Sequence, residues 1–294
     1  MNITIIIPLT NTDYLDRALS SIASQKTDAI IDVLLINDGQ TADCNLFISK
    51  YSKYFDIEEI ILKKNRGPAI ARNIGLTNAK GDYVYFLDDD DKFYNENSLN
   101  ALYINIGNAD FISGMYLEYS KKRNVETFLQ GKLFKKSFLT KNHIKFPNMR
   151  INEPVTFCLD CAFLSDNYKK IDDIICVYYR NNRSSITRTY ADFIKSNKLF
   201  IKAFEKSYKK AKRHGRVERA NKYCINIFTA LAVGYYKRKQ KNKFDKKFDK
   251  DVEVEYINLA RKFYYKHIKY IETGILSETD NKQLLRKYVN LIRQ

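Results

Sequence analysis

Tyr83-Val84-Tyr85-Phe86-Leu87-Asp88-Asp89-Asp90-Asp91 is an apolar run that opens directly into four carboxylates. Its aromatic and β-branched front half reads as a buried strand. Four adjacent acids repel one another, so a fold that keeps them together needs a reason to do so. A strand that opens into acid can hold a divalent cation at the end of a sheet. An isolated acidic run also reads as a solvated turn. The sequence on either side turns the reading toward the cation.

Working outward, strand and helix signals alternate. Ile3 to Pro8 is a short β-branched run, and Tyr14 to Gln25 carries Leu15, Ala18, Leu19 and Ile22 at helical spacing. Ile31 to Ile36 is a second strand, ended by Asn37-Asp38-Gly39, and a helix follows from Cys44 to Tyr54. Glu59 to Leu62 is a third strand. The turn Asn65-Arg66-Gly67-Pro68 then leads to a helix over Ala69 to Asn78. Such alternation predicts an α/β fold with a mostly parallel sheet, flanked by helices and Rossmann-like in its first half. Ligands of such sheets lie outside the carboxyl ends of the strands. Asp38 and Asp88–Asp91 both sit at such ends, so they are expected to converge although they are far apart in sequence.

The middle of the chain is mixed. Helices are expected near Ser98–Gly107 and Val155–Leu164, and strands near Phe111–Tyr119, Lys132–Phe134 and Ile174–Tyr179. Beyond residue 190 the pattern is helical throughout, with Lys and Tyr interleaved; Lys237–Lys250 reads as an exposed loop or helix end. The expected organisation is a 1–190 catalytic part and a basic, mainly α-helical 191–294 region. The first part divides again at residue 91, into 1–91 and 92–190.

The chain has 294 residues, 45% hydrophobic and 14% aromatic, which suits a folded core and excludes a disordered chain. Residues 191–294 hold 27 Lys+Arg against 11 Asp+Glu, and residues 1–190 hold 24 against 23. The net charge of +17 therefore belongs almost wholly to the last third. That asymmetry suggests a near-neutral unit that does chemistry and a basic one that docks on something anionic. The opening residues, ending at Pro8, read as a first strand and not as a signal peptide. The longest apolar stretch, Tyr223 to Tyr236, falls short of the ~20 residues of a spanning helix. A cytoplasmic location is expected, with peripheral attachment to the inner face of the cytoplasmic membrane. Five scattered cysteines fit a reduced compartment, and Cys158 and Cys161 read as core residues of one helix face. The three histidines form no cluster with metal-ligand spacing.

The ordered pieces resemble the inverting family 2 glycosyltransferases of the GT-A fold. They are Ile5-Ile6-Ile7-Pro8, Leu19-Ser20-Ser21-Ile22 with Gln25, Ile36-Asn37-Asp38-Gly39, Asn65-Arg66-Gly67 with Ala71-Arg72-Asn73, and Gly81-Asp82-Tyr83 through Asp91. The pattern continues with Gly131 to Phe134, Phe146-Pro147, Glu153 with Phe157, and Tyr179-Arg180 with Ser185-Ile186-Thr187. It covers roughly residues 1–190; the rest matches no family pattern.

The resemblance implies transfer of a sugar from a nucleoside diphosphate, UDP by expectation, to a glycan or lipid-linked acceptor in bacterial surface polysaccharide or lipooligosaccharide synthesis. It implies Mn²⁺ or Mg²⁺ on Asp90 and Asp88, with Asp88 touching the ribose or a metal-bound water. Asp89 is the variable middle position, and Asp91 orients the loop or faces the acceptor. Asp38 would accept hydrogen bonds from the base, and Arg72 would lie near the base or the phosphates, the alternative being an ordinary helix-surface arginine. Pro8, Thr10 and Asn65 belong to the same nucleotide-sugar set.

Two positions depart from the family. Thr10 stands where a stacking aromatic is common, and Glu153-Pro154 stands where Glu-Asp is common, with the aspartate as general base. Glu153 is therefore the nominated base, or else a cap of its helix; Asp160 is a distant second. Two other classes are weighed against this reading. One is a non-catalytic basic protein docking on nucleic acid or an anionic surface, which four clustered aspartates do not favour. The other is a sugar nucleotidyltransferase, which would want glycine in Leu9-Thr10-Asn11-Thr12. An oligomer interface is a further reading of the C-terminal helices.

Overall fold

A computed structural model describes residues 2–39, 43–118, 120–124, 128–148, 153–179, 190–245, 250–277 and 281–294. The chain divides into two units, Met1–Ser184 and Ser185–Gln294. Arg180, Ser185, Ile186 and Thr187, which carry the last piece of the family pattern, lie outside the described residues.

The first unit begins with β1 (Asn2–Leu9), α1 (Leu15–Ala23), β2 (Ile30–Asp38), α2 (Asn45–Tyr51), β3 (Asp56–Leu62), α3 (Pro68–Asn78) and β4 (Tyr83–Phe86). It continues with β5 (Lys92–Phe93), α4 (Ser98–Ile106), β6 (Phe111–Glu118), β7 (Lys121–Arg123), β8 (Lys132–Lys135), α5 (Lys136–Lys141), α6 (Glu153–Leu164) and β9 (Tyr168–Val177). The strands form a nine-stranded sheet in the order β3-β2-β1-β4-β8-β6-β9-β5, with β7 paired to β6.

The expected α/β sheet flanked by helices is present, parallel through its first four strands and mixed beyond them. β3, β2, β1 and β4 are parallel, but β8 runs antiparallel to both β4 and β6. β6 pairs parallel with β9, whereas β5 and β7 add antiparallel edges. Parallel pairing needs a long crossover between strands, and a helix supplies one after each of β1, β2 and β3. The short hops of the middle segment reverse the chain instead. β5, β7 and α5 were not expected, because two to six residues are too few to show a period.

β1 lies between β2 and β4 and is buried on both faces, which is why its sequence is almost unbroken isoleucine. Alternate residues serve opposite cores. Ile3, Ile5 and Ile7 pack with Leu15, Leu19, Val33, Leu35 and Tyr85 on one side. Ile6 packs with Leu34, Ile36, Ala71, Phe86, Phe134 and Phe157 on the other. On that second side Phe146 stacks on Phe157 of α6 at 4.1 Å between ring centroids and meets Phe86 of β4 edge-on at 5.0 Å. These rings fix the start of α6 beneath the carboxyl end of β4.

The second unit consists, among the described residues, of α7 (Tyr190–Arg213), α8 (Val217–Asp245), α9 (Lys250–Lys266), α10 (Ile268–Ser277) and α11 (Lys282–Arg293). Its core is rich in aromatic rings, among them Phe204, Phe228, Tyr256, Tyr264 and Tyr288. α11 buries Leu285, Tyr288, Val289 and Ile292 along one stripe, leaving its Lys and Arg to the other face. Among the described residues no helix is long and apolar enough to cross a membrane. All five cysteines are buried thiols.

α3 approaches β1 closely at Gly75, where an added Cβ would lie 2.4 Å from Ile6 Cγ2. Ile6 belongs to the central strand and is fully buried, so it has little room to retreat. Gly75→Ala is expected to destabilise the fold by ~1–3 kcal/mol through overpacking, despite alanine's better helix propensity. Urea unfolding checks this; an unchanged midpoint would mean that α3 can slide away from β1.

Candidate active site

The carboxyl ends of β2, β1 and β4 are neighbours, and each delivers predicted residues to the same end of the sheet. Pro8 lies within β1 and Thr10 just beyond it, exposed. Asp38 closes β2 and is buried. Its two oxygens accept the backbone N–H groups of Arg66 and Gly67, each at 2.7 Å. Asp38 therefore ties β2 to the turn that launches α3, a duty the sequence did not disclose. Gly67 takes φ +85° there, a left-handed conformation that glycine adopts freely, and Pro68 starts the helix behind it. Asn65 is exposed at the rim of this turn.

Arg72 of α3 is the centre of the arrangement. Its guanidinium donates from Nη2 to Asp88 Oδ1 at 2.6 Å and from Nη1 to Glu153 Oε1 at 2.9 Å. It is 5% exposed, so the alternative of a helix-surface arginine is overturned. The guanidinium also lies 5.6 Å from the centroid of the Phe146 ring. Its neighbour Asn73 exchanges two hydrogen bonds with the Phe146 backbone, at 2.8 and 2.9 Å. The Ala71-Arg72-Asn73 pattern is thus a clamp. Alanine packs in the core, arginine joins two carboxylates, and asparagine pins the segment leading to α6.

Glu153 begins α6 and is itself buried. Burial raises its pKa, and the charge of Arg72 opposes that rise without cancelling it. Asp160 also lies on α6, near the same face but about 10 Å further along at 1.5 Å per residue.

The four acids form a turn, closed by the Asp91 N–H donating to the Asp88 carbonyl at 3.0 Å. Asp91 is buried, and its Oδ1 accepts the Tyr179 N–H at 3.0 Å. Burial and then repulsion from Asp88 and Asp90 push its pKa well up. The same causes, burial first and then Asp90 and Asp88, raise Asp89 to about 7. Gln130 donates to Asp88 Oδ2 at 3.5 Å.

Arg17 of α1 donates to the Asp90 backbone carbonyl. Its guanidinium is 4.0 Å from the Tyr179 ring centroid and 4.9 Å from that of Tyr14. Arg17 and Gln130 escaped the sequence reading, since nothing local in either stretch signals a partner on the acidic loop. Arg17 and Arg72 each keep a buried Nε–H without a partner.

The donor set suits a hard divalent cation, being all carboxylate oxygen with more negative charge than the two arginines offset. Among the described residues no group of three or more His, Cys, Asp and Glu side chains is arranged to hold a metal. A cation here would take few ligands from the protein and the rest from ligand oxygens, which is how Mg²⁺ is commonly bound.

Residues 4–167, more than half of the chain, match the model of glycosyl transferase family 2. The chain belongs to that family: it is a glycosyltransferase with a GT-A-type fold. An uncharacterized glycosyltransferase of Haemophilus influenzae is 33% identical over 217 residues, covering 67% of this chain and 83% of that protein. The poly(ribitol-phosphate) beta-N-acetylglucosaminyltransferase TarP of Staphylococcus aureus is 28% identical over 291 residues, covering 87% and 86%. The crystal structure of S. aureus TarS 1-349 in complex with UDP-GlcNAc matches with a TM-score of 0.68 over 90% of this chain and 80% of that one. At 18% identity that likeness speaks for the fold. The family decides against the nucleotidyltransferase and the non-catalytic binding protein.

Asp89 gives the site a pH signature. Its folded pKa lies above the ordinary 3.8, so the folded state binds the proton more tightly than the unfolded one. The stability it contributes is complete below pH 3.8 and is lost as pH rises through about 7. Asp89→Asn should therefore match the parent near pH 4 and become progressively more stable than it up to about pH 7. Melting temperatures across this range, in chelator so that no cation offsets the charge, test the point. Parallel curves would refute it.

Proposed function

We propose that the chain moves a sugar from a UDP-linked donor to a bacterial surface glycan or polyol-phosphate polymer, with inversion at the anomeric carbon. The observation that carries this reading is the single guanidinium joining Asp88, on the donor-side loop, to Glu153, at the head of α6. It holds a carboxylate suited to the donor and one suited to the acceptor within reach of one another. The names of the relatives support the choice of substrates: TarP is named for a poly(ribitol-phosphate) acceptor, and TarS was crystallised with UDP-GlcNAc.

In this reading the diphosphate lies over the carboxyl ends of β1, β2 and β4, with Pro8, Thr10, Asp38 and Asn65 around the nucleoside. Asp90 and Asp88 would hold Mn²⁺ or Mg²⁺, which when bound supplies positive charge for the departing diphosphate. The buried Nε–H groups of Arg17 and Arg72 are further donors on this side of the sheet. The acceptor hydroxyl oxygen attacks the anomeric carbon from the face opposite the diphosphate. The carbon–oxygen bond to phosphate breaks, the diphosphate leaves with the bonding pair, and the hydroxyl proton passes to Glu153. Burial raises the Glu153 pKa, and greater proton affinity favours a general base.

Asp90→Ala is expected to abolish metal-dependent transfer while leaving the melting temperature near the parent's, since its side chain lies on a loop. Near-normal turnover with Mn²⁺ present would remove the metal assignment. Glu153→Gln should lower kcat by ~10²–10⁴-fold with little change in UDP affinity. If that variant transfers normally while Asp160→Asn or Asp91→Asn fails, the base lies elsewhere.

The strongly basic 191–294 region is proposed to hold the enzyme on an anionic membrane surface, close to a lipid-linked acceptor. Each basic residue near an anionic leaflet contributes about 1 kcal/mol, and salt weakens the attraction. Co-sedimentation should favour anionic over neutral vesicles at low salt and fade at high salt. Equal partitioning would return the region to an oligomer interface or a solvated bundle.

A further inference from the structure

Tyr83 and Asp88 stand at opposite ends of one strand. β4 starts at Tyr83, and the acidic loop starts five residues on, roughly 17 Å away at about 3.3 Å per residue. At the Tyr83 end a cavity of about 990 Å³ opens, away from the carboxyl ends of the parallel strands. Lys80, Lys135, Lys136 and Lys141 line it, with Asp82 as the one carboxylate.

Composition does not account for that excess, because residues 1–190 carry almost equal numbers of acids and bases. The charge is only partly offset in place: the Asp32 carboxylate acts on Lys80 and Lys136, and Asp56 acts on Lys80. Lys80 pairs with Glu58 at 3.0 Å across an exposed edge. The Lys136 ammonium donates to the Ala79 carbonyl, which is neutral. Among the described residues Lys135, Lys136 and Lys141 pair with no carboxylate. Asp82 is itself engaged by the Asn2 N–H at 3.3 Å. Ser137 and Asn108 add neutral hydrogen-bonding groups to the wall.

We propose that this cavity is a second binding site of the catalytic unit, taking a ligand with two or more adjacent phosphate groups. All its cations are lysines, compact point charges that several phosphate oxygens can share without a fixed bidentate geometry. The volume exceeds what a single inorganic anion fills. The role follows from the proposed function and rests on it: a phosphate-bearing acceptor anchored here presents its growing end to the distant site at raised effective concentration. The binding itself stands without that reading.

Tripolyphosphate is the probe, titrated calorimetrically into the full chain in chelator with the donor site saturated by uridine monophosphate, whose single phosphate does not meet the cavity's requirement. Lys135→Gln/Lys141→Gln should weaken its binding about tenfold or more. Lys202→Gln/Lys262→Gln removes the same charge from exposed positions of the second unit and should change binding less than about twofold. In a second arm, the Lys135/Lys141 variant should raise KM for a phosphate-polymer acceptor and leave KM for a short neutral acceptor and donor hydrolysis unchanged. A change confined to the probe arm supports the site and assigns it to free oligophosphate. Equal weakening by both double variants, or no probe binding in the presence of uridine monophosphate, overturns the proposal. Failure of the parent chain to turn over any UDP-sugar would sink the proposed function and leave the probe arm readable.

Discussion

The site depends on one buried cation. A guanidinium removed from water costs several kcal/mol, and only well-placed anions repay it. Arg72 finds two, one 16 residues along the chain and one 81 residues along. The same side chain therefore sets the distance between the acidic loop and the head of α6. Removing it would leave two carboxylates without their counter-charge, a loss of about 3–5 kcal/mol for a buried pair. The aromatic stack of Phe86, Phe146 and Phe157 and the Asn73 bonds to Phe146 hold the same three segments together. The pair and the packing are mutually dependent, since the rings bring the charges together and the charges justify burying them.

The acidic loop is restrained in a different way. Its own charges oppose one another, as the upward shifts of Asp89 and Asp91 record. Neutral and cationic donors counter this from outside: Tyr179 N–H on Asp91, Arg17 on the Asp90 carbonyl, Gln130 on Asp88. Arg17 in turn lies against the Tyr179 ring, so the end of the chain's last described strand segment and the loop are fixed to each other twice. Such a loop has its backbone held from outside, while Asp88 is paired with Arg72 and burial raises the proton affinity of Asp89 and Asp91.

The parts legible in the sequence were those written locally. The isoleucines of β1 and the alternation of strands with helices up to β4 carried their periods in full view, and Asn37-Asp38-Gly39 marked a strand end. The mixed half of the sheet was not legible, because β5 and β7 are two and three residues long. Cys158 and Cys161 were read from helical spacing as core residues and are buried on α6. Arg72 was seen only as part of a pattern; its partners are fixed by tertiary packing and leave no trace at i+3 or i+4. Asp38 shows the reverse difficulty. A carboxylate at a strand end suggests a ligand contact, yet here both oxygens also satisfy backbone donors of the turn ahead of α3.

The Glu153-Pro154 pair shows why this chain can depart from its family without losing the fold. Proline is well tolerated in the first turn of a helix, where its missing N–H would have no intrahelical partner. α6 therefore starts at Glu153, and its apolar residues reach the core as they must. What changes is the chemistry, since one carboxylate disappears from the helix head. The remaining one is raised by burial, and Arg72 both fixes its position and opposes part of that rise. A carboxylate with those two properties can replace a neighbour as base without any movement of the backbone. That makes the substitution tolerable for folding, and under the proposed function it leaves proton transfer to Glu153 alone.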